Sequence, residues 1–197
     1  GADMKAKTRA GWNVLIIASR YGLLDMVDQL IFKGAELEAK DKNGETALIT
    51  AVKYAHLPVV KKLLDSGANV HLQDTHGKTA LMHAAEKGNV DIMAALLSAG
   101  ADVSQVSTDG ATALIWAASQ GNHDALSFLL ANGADINTQD NSGVTALSEA
   151  ISVRSADSVK LLLEQGADKN LKDSEGRTPV SQAKTCRNEA IRKLLAN

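Results

Sequence analysis

Residues 74–84 read Asp74-Thr75-His76-Gly77-Lys78-Thr79-Ala80-Leu81-Met82-His83-Ala84, and their spacing returns along the chain. Gly77 belongs to a series at Gly11, Gly44, Gly110, Gly143 and Gly176, each 33 residues from the last. Two residues after each glycine stands Asn13, Thr46, Thr79, Thr112, Thr145 or Thr178; seven after it stands Ala18, Ala51, Ala84, Ala117, Ala150 or Ala183. A Gly-Ala pair keeps the same period at Gly34, Gly67, Gly100, Gly133 and Gly166. Several independent positions share one ruler, which marks a repeat architecture. The repeats run 8–40, 41–73, 74–106, 107–139, 140–172 and a short 173–197.

Each repeat has a physical reading. Asp74 to Gly77 is a type I turn, with Asp first and Gly fourth, and the form returns at Asp41, Asp140 and Asp173. Thr46 offers a hydroxyl to the free N–H groups of a helix behind it. Ala47, Leu48, Ala51 and Val52 then form one apolar helical face. Gly22, Gly88 and Gly121 end that helix in the left-handed conformation. A second helix carries Leu63-Leu64, Leu96-Leu97, Leu129-Leu130 and Leu162-Leu163 before the Gly-Ala pair closes it. Small alanines let neighbouring helices approach closely. A slice this thin cannot bury its own apolar face, so stability comes from stacking. The sequence therefore predicts an all-α solenoid of helix-loop-helix slices with turn fingers, forming a single domain over 1–197.

These residues resemble the ankyrin repeat, whose Thr-Pro-Leu-His-x-Ala helix start appears here as Thr46 to Ala51, Thr79 to Ala84, Thr112 to Ala117, Thr145 to Ala150 and Thr178 to Ala183. Ala replaces the helix-start Pro in four copies, and the histidine of the pattern is absent. Ala55 and Arg154 stand where other repeats carry a left-handed glycine, and Ser107 replaces the turn Asp, which predicts a looser fourth finger. The last repeat carries Arg187, Asn188, Glu189, Arg192 and Lys193 on a polar outer face, as a terminal repeat needs.

Composition narrows the chemistry. The chain has 197 residues, 45% hydrophobic and 3% aromatic, with a net charge of −2. No apolar run exceeds the six residues of Ile92 to Leu97 and Ala113 to Ala118, which excludes a spanning helix. One cysteine, Cys186, excludes an internal disulfide framework. Near-neutral charge removes the simple electrostatic case for nucleic acid. Gly77-Lys78-Thr79 imitates the end of a phosphate loop, but Leu72 stands where its first glycine belongs. No zinc-protease or nucleophile-elbow motif occurs. Neither catalytic residues nor a metal or cofactor are expected, and His76 and His83 read as exposed histidines titrating near neutrality.

The resemblance implies a concave face of turn tips and first helices that binds another protein. Its variable slots hold Trp12, Arg20, Tyr21, Lys42, Lys53, Tyr54, His76, Lys78, His83, Lys87 and Trp116. Over the first three repeats these slots and their neighbours carry Arg9, Arg20, Lys42, Lys53, Lys78 and Lys87 against Glu45 and Glu86, a net of +4, and over the last three Arg177 against Asp109 and Glu175, a net of −1. Aromatics beside arginine are the residue types that dominate binding hot spots. The expectation is a non-catalytic interaction module, monomeric, whose cationic and aromatic N-terminal half takes an acidic and apolar protein segment. Two other readings are a targeting part of a larger enzyme or secreted effector, and a small-ligand or metal-binding protein using His76, His83 and Trp116. No signal peptide is visible. Cysteine scarcity fits a cytoplasmic, periplasmic or secreted setting alike.

Overall fold

The computed structural model describes residues 6–196. Among them are twelve helices in consecutive pairs and no strands. The pairs are α1 (Val14–Arg20) with α2 (Leu24–Phe32), α3 (Ala47–Lys53) with α4 (Leu57–Asp65), and α5 (Ala80–Lys87) with α6 (Val90–Ser98). They continue as α7 (Ala113–Ser119) with α8 (His123–Ala131), α9 (Ala146–Ser152) with α10 (Ala156–Glu164), and α11 (Pro179–Thr185) with α12 (Glu189–Ala196). The fold is an all-α repeat solenoid. The chain divides into two compact units: one reaches to Ala84 and adds Asp91–Asp102, and the other comprises Ala85–Val90 and the chain from Val103 onward.

Helices of seven to nine residues are too short to hold alone in water, so caps and packing must hold them. Asn13 Oδ1 accepts from Ile16 N at 2.8 Å, and Thr46 Oγ1 from Ile49 N at 3.3 Å. Thr145 and Thr178 form reciprocal capping boxes with Ser148 and Ser181, each cap stabilising by about 1 kcal/mol. Thr112 departs from the pattern: it makes no side-chain cap bond, and its Oγ1 is buried without a partner.

The alanines do what their size predicts. Ala18, Ala51 and Ala84 in the first unit, and Ala117 and Ala150 in the second, are fully enclosed. So are the first leucines of the second helices, Leu63, Leu96, Leu129 and Leu162. Each such leucine contributes about 1.5–3 kcal/mol by leaving water.

The fingers stack through their backbones. Lys42 N donates to Ala10 O at 3.1 Å and Thr75 N to Asn43 O at 2.8 Å; in the second unit Asn141 N reaches Asp109 O at 2.9 Å. A Cβ on Gly44 would lie 2.9 Å from Thr75 N, so the periodic glycine is also a close-approach residue. The fourth finger keeps the backbone closure of the others without their carboxylate. Ser107 N donates to Ala111 O at 3.0 Å and Gly110 N to Ser107 O at 2.9 Å, the same closure that the aspartate fingers make, and Ser107 Oγ adds a bond to Ala111 O.

A second link between slices has no counterpart in the periodic residues. In three repeats the residue before the second helix reaches back to the end of the preceding first helix. His56 Nε2 donates to Arg20 O at 2.9 Å, Asn122 Nδ2 to Glu86 O at 2.8 Å, and Asn188 Nδ2 to Arg154 O at 3.4 Å. Ala55 (φ 59°) and Arg154 (φ 60°) hold the left-handed conformation without being glycine. That geometry costs a non-glycine residue about 1–2 kcal/mol.

Candidate interaction surface

Trp12 and Arg20 bracket α1. Side chains on a helix lean toward its N-terminus, so the long Arg20 chain lies back along α1 toward Trp12. Its guanidinium carbon sits 4.8 Å from the Trp12 ring centre and 4.4 Å from that of Tyr54, the residue following α3. Arginine over aromatic faces is favourable by about 0.5–1 kcal/mol even at exposed sites. Trp12 is fixed in turn, its Nε1 donating to Asp41 Oδ2 at 3.0 Å.

Two acids of the second finger are already engaged. Asp41 Oδ1 accepts the N–H groups of Asn43 and Glu45, at 2.8 and 2.9 Å. Glu45 forms an ion pair with Lys53. Glu45 and Lys53 occupy, one period later, the slots of Trp12 and Arg20. The second repeat therefore neutralises its cation with a carboxylate, whereas the first packs its cation on rings. No carboxylate of the described residues pairs with Arg20. Tyr21 is 64% exposed and Tyr54 41% exposed, and the side chains of Arg9 and Lys42 are exposed on adjoining fingers.

The third finger is built differently. Asp74 Oδ1 accepts from His76 N at 2.8 Å and Lys78 N at 3.0 Å, and Oδ2 accepts from His83 Nε2 at 2.8 Å. His83 is buried, at 6% exposure, which corrects the expectation of an exposed, near-neutral titrating histidine. Burial pushes its pKa down, and the charges of Lys78 and Lys53 add to that, against the raising effect of Asp74. Lys78 is likewise buried, while His76 is exposed. The ring expected to face a ligand is instead a strut of the finger.

Lys87, the last residue of α5, is exposed, and Trp116 on α7 is half-buried. Cys186 is a free thiol, half-buried after α11. Among the described residues no three His, Cys, Asp or Glu side chains are grouped to hold a metal ion. No described helix is long and apolar enough to cross a membrane.

The fingertip aspartate recurs as an organiser. Asp41 takes Trp12 on its second oxygen, Asp74 takes His83, and Asp173 takes Arg177 Nε at 2.8 Å. Asp140 binds Ser142 N and Val144 N through Oδ1 but faces Glu149, whose pKa is raised first by burial and then by the charge of Asp140. The sequence displays these acids as turn residues, and nothing in the turn pattern tells which partner each second oxygen finds.

A family model described as ankyrin repeats (3 copies) matches residues 15–107, 52–140 and 99–173. No curated protein matches the chain.

Proposed function

The chain belongs to the ankyrin repeat family, and on that ground we propose that it is a non-catalytic interaction module taking a protein partner on the fingertip and first-helix side of its first compact unit. Ankyrin repeats are generally protein-interaction modules and typically not enzymes. The contact set is Arg20, Tyr21, Lys42 and Tyr54, with Trp12 holding Arg20 in place. His76 and Lys53 flank it, and Lys78 and His83 shape the third finger from within. Lys87 and Trp116 belong to the second unit and hold the corresponding slots of later first helices.

One observation carries this reading. Arg20 is a cation over two aromatic rings, with no carboxylate partner among the described residues and an exposed tyrosine on either repeat. A planar guanidinium held this way presents a fork to an incoming carboxylate at reduced entropic cost. The free charges of Arg9 and Lys42 favour a partner segment rich in Asp and Glu. The aromatic surface favours apolar residues beside them.

Selection of a displayed random-peptide library on the immobilised chain tests the reading. Enriched peptides should pair acidic with apolar residues. Their synthetic versions should lose about tenfold or more in affinity to Tyr21→Ala, Tyr54→Ala and Lys42→Glu. These side chains are exposed, so the variants should melt within a few degrees of the parent. Trp12 is unsuitable for this purpose, because its truncation also frees Asp41. Enriched peptides that bind all three variants like the parent would overturn the assignment.

A further inference from the structure

The second compact unit contains an open cavity of about 780 Å³ lined by Arg154, Arg177 and Arg187, with Ser181, Gln182 and Thr185 among its other walls and no carboxylate. Arg177 is oriented from behind: its Nε donates to Asp173 Oδ2 at 2.8 Å and its Nη1 lies 3.0 Å from Glu175 Oε2. Arg154 and Arg187 have no carboxylate partner among the described residues. They stand 33 residues apart, in the same register of successive repeats. The backbone on both sides is tied down, with Arg154 O accepting from Asn188 Nδ2 at 3.4 Å and Cys186 O from Arg192 Nη1 at 2.6 Å.

Two features of this wall are unusual. Gln182 Oε1 is buried at this wall with no hydrogen-bond partner, an acceptor left without a donor. Such orphans are rare in folded proteins because they forfeit their hydration. Arg154 is also held at φ 60°, in the place that Gly22, Gly88 and Gly121 fill elsewhere at no steric cost. Ala55 bears the same strain with only a methyl group, whereas Arg154 carries a long side chain there. Here that side chain is one wall of the cavity.

We propose that this cavity binds a small polyvalent oxyanion, phosphate or carboxylate. The guanidinium forks of Arg154 and Arg187 grip its oxygens bidentately, and Arg177 adds its remaining donors. Guanidinium suits this task because its planar fork matches both oxyanions. The site shares no residue with the protein-binding surface of the first unit and does not depend on it.

Calorimetric titration of the full chain with pyrophosphate and with citrate, at constant ionic strength, tests the proposal. Saturable binding of either probe is expected, and the tighter one identifies the oxyanion class. Arg154→Gly is the decisive variant, because glycine fits φ 60° better than arginine does. It should melt at or above the parent temperature yet bind the probe about tenfold more weakly, as loss of one charge-assisted contact implies. Arg187→Gln should weaken binding to a similar degree. Failure of both probes to bind at millimolar concentration, or unchanged affinity in both variants, would overturn the site. So would equal competition by chloride.

Discussion

His83 Nε2 donates to Asp74 Oδ2 at 2.8 Å, with 8% and 4% of the two side chains exposed. A variable slot of the first helix is thus bonded to the first residue of its own finger. Burial pushes the Asp74 carboxyl up, but hydrogen bonds from His83 and from the N–H groups of Lys78 and His76 outweigh it and hold the group below its ordinary range. His83 sits below its ordinary range as well, chiefly through burial. At neutral pH the pair is a neutral imidazole donating to a carboxylate.

Both shifts give stability the same sign of pH dependence. A histidine with a depressed folded pKa lets the unfolded chain take up a proton first, so stability falls as the pH drops below 6.5. Asp74 adds a further loss as the pH drops below 3.8 toward its folded value. Thermal melts of the parent should therefore show a declining midpoint below pH 6.5, and His83→Gln should flatten the upper part of that decline. A parent midpoint that stays level across this range would refute the assignment.

The fifth repeat lacks this arrangement. Glu149 stands nine residues after Asp140, as His83 does after Asp74, and places a like charge where the third repeat has a donor. Its raised pKa means the folded chain holds the proton more tightly, so a stability cost develops as the pH rises above 4.5. Glu149→Gln should raise the melting temperature at neutral pH, with the gain vanishing below pH 4.5. Glu149→His should stabilise further by giving Asp140 the missing donor. A neutral-pH melting temperature lowered by both substitutions would count against this account.

The left-handed residue between the helices gives an opposed pair of tests. At Ala55 (φ 59°) a glycine relieves backbone strain and loses chain entropy, leaving a net gain of up to about 1 kcal/mol. At Gly22 (φ 67°) an added Cβ would lie 2.5 Å from His56 Nδ1. It would displace the ring that bonds Arg20 O. Gly22→Ala should therefore cost about 1–3 kcal/mol, the range for strain plus a lost part-buried bond. Denaturant titration of the two variants reads both values, and a Gly22→Ala chain as stable as the parent would remove the proposed role of His56.

Much of the fold can be read from the sequence because its signals are local and repeated. A turn aspartate, a capping threonine and a small alanine each act within a few residues, and a fixed period multiplies them. Ser107 is partly legible for a related reason: the sequence shows the missing carboxylate, but not that the backbone closure survives it and that the hydroxyl adds a bond to Ala111 O. The exposure of Tyr21 and Tyr54 follows from their places near helix ends. The burial of His83 does not follow, because its slot is exposed or enclosed according to what the finger offers it.

The period, the helix pairs, the enclosed alanines and the family all rest on spacing along one chain, and the sequence suffices for them. Which charges remain available is a matter of packing between slices. Lys53 is paired with Glu45, Arg20 lies on two rings instead, and Arg154 joins Arg187 and Arg177 around one cavity. Arg154 looks in sequence like a backbone irregularity and Arg187 like the polar face of a terminal repeat. Their 33-residue spacing is the one clue that sequence offers to their meeting. A periodic backbone sets where side chains begin, but each charge is neutralised or left free by whatever the neighbouring slice brings within bonding distance.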